Sequence, residues 1–230
     1  MAIAERIAAV RSRMAEACRR AGRDPASVRL VAVSKTKPAQ AVEEALACGQ
    51  TLFGENYVQE FVEKREQVEQ AAPGAEWHFI GALQSNKVKY LAGKVTLIHS
   101  VDRLSLAEEI DRQWGKLGQT ANILLEANLG GEASKAGVAA SSLEELARAA
   151  AQLPHVRVCG LMVLPPFFDD PERVRPFFRE LRQLAEHLES LKIPGVAMRE
   201  LSMGMSGDFE AAIEEGATLV RVGTALFGAR

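Results

Sequence analysis

Lys35 stands two positions beyond the apolar run Leu30–Val33, in "LVAVSKTKP" (30–38). Alternation along an extended segment puts Val31, Val33 and Lys35 on one face. A lysine partly desolvated at such a place holds its proton less firmly and becomes an amine nucleophile able to condense with an aldehyde. Read structurally, it is a strand-end lysine whose ammonium reaches back to water. Two distant stretches bear on the choice. "LSMGMSGDFEAA" (201–212) and "LVRVGTALFG" (219–228) each pass from a strand-like segment through a turn of Gly with Ser or Thr into a helix start. The N–H groups of Gly207, Gly223 and Thr224, with the hydroxyls of Ser206 and Thr224, suit a phosphate. The structural alternative makes Ser206 an N-cap and Gly223 a tight turn. Arg221 is a third polar residue in an apolar run, and a buried guanidinium needs partners. It either pairs with a neighbouring carboxylate, Glu126 or Glu200, or donates to a ring nitrogen of a ligand.

The elements that must position these residues follow a regular rhythm. Ile3, Ile7, Val10, Met14, Cys18 and Ala21 recur at helical spacing and Gly22 is a natural stop. Eight short apolar or β-rich runs follow, at 29–34, 51–54, 77–81, 95–99, 122–126, 156–163, 199–202 and 218–222. Between them lie amphipathic segments at 39–47, 57–70, 86–91, 103–116, 143–152, 171–190 and 206–215, with Asp102, Ser141 and Ser142 as candidate N-caps. Strand and helix alternating eight times imply right-handed β-α-β units and a parallel sheet. The count and the length of 230 residues favour a closed (β/α)8 TIM barrel, with an extra N-terminal helix, over an open sheet. No linker divides the chain, so residues 1–230 are expected to form one domain. In a barrel the last strand lies beside the first, which brings the two phosphate-like turns next to Lys35. A lysine beside a phosphate anchor fits a sugar-phosphate aldehyde or pyridoxal 5′-phosphate (PLP). If the ligand is PLP, Arg221 at the pyridine nitrogen leaves that nitrogen unprotonated and weakens the ring as an electron sink.

Seven blocks carry a family resemblance: "AVSKTKP" (32–38), "FGENYVQE" (53–60), "WHFIGALQSNK" (77–87), "SKAGV" (134–138), "GLM" (160–162), "LSMGMSGDFEAAI" (201–213) and "VRVGTALFGAR" (220–230). In this order they resemble the PLP homeostasis (YggS/PROSC) family, whose fold is that of the alanine racemase N-terminal barrel. The resemblance implies that Lys35 carries PLP as a covalent internal aldimine. It implies phosphate contacts from Ser206, Gly223 and Thr224, Arg221 facing the pyridine nitrogen, and Asn56 as a pocket residue. It further implies a protein that buffers and delivers PLP in vitamin B6 and amino-acid homeostasis, with apo-PLP enzymes as transient recipients.

Racemases of this fold add a β-rich domain that supplies a second catalytic group, and no stretch of this sequence corresponds to it. Two-sided proton transfer needs an acid/base on each face of the substrate carbon, so a carrier is expected rather than an enzyme. The alternatives are a weak amino-acid racemase and a Schiff-base aldolase on a sugar phosphate. Tyr57 is expected to pack the start of its helix, His78 to be a core histidine, and His99 to end its strand near the rim. Lys37 and Lys135 are either solvated loop lysines or transient second acceptors of PLP. A formal net charge of −2 provides no basic stripe for nucleic acid. There is no signal-like or bilayer-length apolar run, and no metal-ligand spacing of His and Cys. Three scattered cysteines, Cys18, Cys48 and Cys159, point to reduced thiols and a cytoplasmic home. An open rim with no dimer-forming domain points to a monomer.

Overall fold

The structure, a computed structural model, describes residues 2–130, 136–166 and 168–228. Eight parallel strands close into a barrel. They are β1 (Arg29–Val33), β2 (Leu52–Glu55), β3 (Glu76–Phe79), β4 (Leu97–Val101), β5 (Ala121–Asn128), β7 (Val156–Val163), β8 (Val196–Ser202) and β9 (Leu219–Val222). A two-residue strand, β6 (Val138–Ala139), pairs with the end of β5 at Ala127 and Asn128. Hydrogen-bonded neighbours run β4-β3-β2-β1-β9-β8-β7-β5, and the β4–β5 pairing completes the ring. All eight apolar runs of the sequence fall on barrel strands, as expected for a (β/α)8 TIM barrel. β6 was not foreseen, since two residues carry no periodicity.

The helices form because their apolar residues recur at helical spacing and need a sheet to cover them. α1 (Ile3–Arg20) buries Ile7, Val10, Met14, Ala17 and Cys18. It stops where Gly22 takes a left-handed φ of 65°. It lies outside the β/α repeat and packs on α2 (Ala39–Ala47), α7 (Phe209–Glu214) and the terminal α8 (Thr224–Phe227). α6 (Arg175–Ser190) buries Phe178, Leu181, Ala185 and Leu188 along one stripe. Each large apolar side chain so covered contributes about 1.5–3 kcal/mol. α3 (Val58–Ala71), α4 (Leu104–Gly115) and α5 (Leu143–Ala150) complete the outer layer. The 86–91 segment is a 3-10 turn, Ser85–Tyr90, not an α-helix.

The expected N-caps differ. The cap position of α4 is Arg103, with no side-chain cap bond, and Asp102 instead ion-pairs with Arg103 at 2.5 Å. Ser142 precedes α5 without a side-chain cap bond, because a 3-10 turn, Ala140–Ser142, feeds straight into the helix. Two apolar clusters result. The larger lies between sheet and helices. The smaller fills the barrel with Val31, Leu52, Leu97, Leu124, Met162 and Leu219. No helix among the described residues is long and apolar enough to cross a membrane.

Candidate functional site

β1 hands Lys35 to the carboxyl-terminal mouth of the barrel through a turn that is braced from outside. Ser34 donates its Oγ proton to Glu55 Oε1 at 2.7 Å. The buried Lys64 ammonium donates to Ser34 O at 2.7 Å, Glu55 Oε1 at 2.6 Å and Glu60 Oε1 at 2.7 Å. The Thr36 N–H donates to Glu60 Oε1 at 2.5 Å, and Thr36 itself sits at a φ of 63°. That left-handed conformation is costly for a β-branched residue, so the brace holds strain of the kind found at functional turns. Burial pushes the Glu55 carboxyl up, while Lys64 pulls the other way. The second oxygen of Glu55 is buried with no hydrogen-bond partner among the described residues. Sequence reasoning missed this cluster. The signal was present: Phe61, Lys64 and Val68 share the buried stripe of α3, and a lysine in such a stripe needs anions.

A cavity of about 530 Å³ opens at the same mouth, and Lys35, Asn56, Ser206, Arg221, Gly223 and Thr224 all line it. Val33, Ile80, Leu164, Phe168 and Met205 supply its apolar wall, and Asp169, Gly207 and Asp208 complete it. All six residues singled out from the sequence are therefore neighbours. Ser206 is not an N-cap of α7, whose cap position is Asp208. Its Oγ faces the other turn, accepting from Gly223 N–H at 3.3 Å and Ala225 N–H at 3.5 Å. The two Gly-bearing turns thus meet at one hydroxyl. Asp208 steadies its own turn by accepting from the Met205 N–H at 2.5 Å, and burial raises its pKa.

Asn56 reaches the cavity because Gly81 lets its backbone through. A Cβ at position 81 would lie 2.3 Å from the Asn56 carbonyl oxygen. The Asn56 side-chain oxygen is buried with no hydrogen-bond partner among the described residues. A buried acceptor left open beside a ligand-sized cavity is a place for a ligand donor.

Arg221 is buried, and its guanidinium donates to Ser202 Oγ and, at 2.9 Å, to Val163 O. Neither carboxylate expected from the sequence pairs with it among the described residues. Glu200 lies near the opposite mouth, bound to Arg29 at 2.9 Å. Glu126 acts on Arg221 only at longer range. Burial lowers the Arg221 pKa to about 10, so it stays a cation at neutral pH. Glu126 is raised to about 7, by burial first and then by Asp102.

The remaining candidates separate. His78 is a core histidine with partners, as expected: its Nε2 lies 3.3 Å from Glu76 Oε1 and its Nδ1 2.9 Å from His99 Nε2. His99 is not at the rim. β4 runs two residues later than the sequence suggested, so His99 sits in mid-strand and is fully buried. Tyr57 stands at the cap position of α3 and is 51% exposed. Lys37 is half-buried on the Lys35 turn, its N–H donating to Ser34 O at 3.0 Å, and it is not part of the cavity wall. Lys135 lies outside the described residues. Among those residues no group of His, Cys, Asp or Glu has the makings of a metal site.

The chain matches the family model "Alanine racemase, N-terminal domain" over residues 6–230. It is 50% identical to the pyridoxal phosphate homeostasis protein of Aquifex aeolicus over 226 residues, 98% of this chain and 97% of that one. It is 46% identical to the protein of the same name from Escherichia coli K12, over 99% of this chain and 97% of that one. Among solved structures it is similar to PipY of Synechococcus elongatus with PLP bound, with a TM-score of 0.86 and 40% identity over 98% of this chain and all of that one. Identity and coverage at this level, on a barrel of this topology, make the chain a member of the alanine racemase N-terminal domain family and, within it, of the pyridoxal phosphate homeostasis proteins.

Proposed function

We propose that this chain binds PLP at the carboxyl-terminal mouth of its barrel, on Lys35, and stores and hands on the cofactor without turning over a substrate. The observation that carries the reading is the convergence of an amine, a phosphate-type turn pair and a buried arginine on one cavity. The donor set fits the group. The Thr224 N–H and the Ser206 and Thr224 hydroxyls suit the phosphate, and the Gly223 N–H, which donates weakly to Ser206 Oγ at 3.3 Å, would turn to it. The unpartnered Asn56 oxygen suits a ring hydroxyl, Arg221 suits the pyridine nitrogen, and the apolar wall suits the ring faces. Bound PLP supplies an aldehyde for an amine to capture. The Lys35 amine forms the C=N bond to that aldehyde carbon, the carbonyl oxygen leaves as water, and the link is reversible by the same route. Arg221 donates to the ring nitrogen without protonating it, which mutes carbanion chemistry and suits a holder of the cofactor.

The titratable side chains of the described wall are Lys35, Asp169, Asp208 and Arg221, a poor set for two-sided proton transfer at a substrate carbon. That supports a carrier over a racemase. On this reading the chain works as a single-domain monomer in the cytoplasm, with apo-PLP enzymes as recipients. The test mixes the PLP-loaded protein with an apo-PLP enzyme and, separately, with labelled L-alanine. The reading expects recovery of the apo-enzyme's activity and negligible loss of label from the alanine Cα. Rapid exchange of that label, with no transfer, would favour the racemase.

A further inference from the structure

A line of polar side chains threads the barrel from one mouth to the other, half-exposed at Glu76 and buried at His78, His99, Ser202 and Arg221. The links are 3.3 Å from His78 Nε2 to Glu76 Oε1, 2.9 Å from His99 Nε2 to His78 Nδ1, and 2.8 Å from His99 Nδ1 to Ser202 Oγ, with Arg221 Nη1 donating to Ser202 Oγ. Its two ends fix where every proton lies. At the amino-terminal mouth Glu76 is an ionised acceptor, held down to about 2 chiefly by the bond from His78 and also by Thr96 and Arg29. His78 must therefore carry its proton on Nε2. Burial disfavours a charge on either histidine, and His99 also feels the Arg221 cation. Neutral His78 presents a bare Nδ1, which takes the proton of His99 Nε2. Neutral His99 presents a bare Nδ1, which takes the Ser202 hydroxyl proton. The hydroxyl oxygen is left to accept from Arg221, and a guanidinium can only donate. Read from either end the order is the same: Arg221 to Ser202 to His99 to His78 to Glu76.

We propose that Ser202, His99 and His78 are positioning residues for Arg221, a one-way hydrogen-bond relay that ties its guanidinium to the carboxylate at the far mouth and holds it against the cofactor ring. Arg221 has no carboxylate at bonding distance among the described residues, so the relay stands in for an ion pair. Aligned hydrogen bonds polarise one another in a low-dielectric interior, which passes the influence of Glu76 to the cavity. Two guanidinium nitrogens are committed to Ser202 and Val163, which fixes the plane in which its other N–H groups meet the ligand. This assignment rests on the PLP reading of the cavity.

The test compares PLP complexes of the wild type, Ser202→Ala, Ser202→Thr and Glu76→Gln. It measures PLP affinity and the pH at which the visible band of the bound cofactor is half lost. Ser202→Ala is expected to weaken binding about tenfold and to move the band's pH midpoint, and Ser202→Thr to restore both. Glu76→Gln keeps an acceptor but removes the charge, at a side chain 38% exposed and away from the cavity. It is expected to move the midpoint in the same direction by less, which a packing role would not do. Nitrogen NMR of the histidines, read without cofactor, is expected to show both rings neutral with the proton on Nε2. A wild type that binds PLP, with a midpoint unchanged in Ser202→Ala and Glu76→Gln or with either ring on Nδ1, would overturn the relay alone. A wild type that forms no complex with PLP would overturn the cofactor reading and the relay with it.

Discussion

Glu126, buried on β5, is a carboxyl whose pKa the fold carries up to near neutral pH. Its carboxyl titrates at about 7 in the fold against an ordinary 4.5. Between those values the folded chain keeps a proton that the unfolded chain has released. Stability from this group is therefore fully present below about pH 4.5 and is lost as pH rises through 7, by about 3 kcal/mol. Glu126→Gln is expected to flatten that decline, which urea unfolding at pH 5 and pH 8 will measure. Lys35 and Arg221 were legible in the sequence because each breaks an apolar strand pattern, and an unexplained charge in such a run is a signal in itself. Asn56 was legible only through family resemblance, since an asparagine after a strand is ordinary. What marks it in the structure is the contact with Gly81 and the open acceptor, and neither is visible before the chain is folded.

The elements place these residues through two devices, a braced turn and strand register. The turn after β1 depends on Lys64 of α3, which is 5% exposed and has two carboxylates within 2.7 Å. Lys64→Met leaves Glu55 and Glu60 without their cation. The expected cost is about 3–5 kcal/mol of stability, with looser PLP binding because the Ser34–Thr36 turn loses its anchor. Denaturant unfolding and a PLP titration of the variant check the two effects separately. The helices and strands were legible from period and from count, because each must cover one face. His78 was legible as a core residue, but His99 was not. Placing β4 as 95–99 instead of Leu97–Val101 put His99 at the rim, whereas pairing of His78 with Leu97 and of Phe79 with Ile98 carries it inside. The His78–His99 contact joins the neighbouring strands β3 and β4, whereas His99–Ser202 links β4 to β8, far apart in sequence, so only closure of the ring brings that second pair together.

Across the molecule, the described cavity residues gather at the carboxyl-terminal mouth of the barrel. Six apolar side chains fill the interior around the polar relay, and the cavity residues all lie at or beyond the ends of their strands or in the upper interior. A ligand held there stabilises the fold in proportion to its occupancy. PLP at 100 times its dissociation constant is expected to add about 2.7 kcal/mol, seen as a raised melting temperature that Lys35→Ala largely loses. The central claim is that Lys35 forms a covalent, reversible link to PLP. The measurement that tests it most directly is mass spectrometry of the protein incubated with PLP and reduced with borohydride, beside Lys35→Ala treated in the same way. One reduced PLP adduct is expected, mapped to the peptide containing Lys35 and absent from the variant. An undiminished adduct in the variant would move the link to another lysine. No adduct in the wild type would rule out a covalent link to PLP.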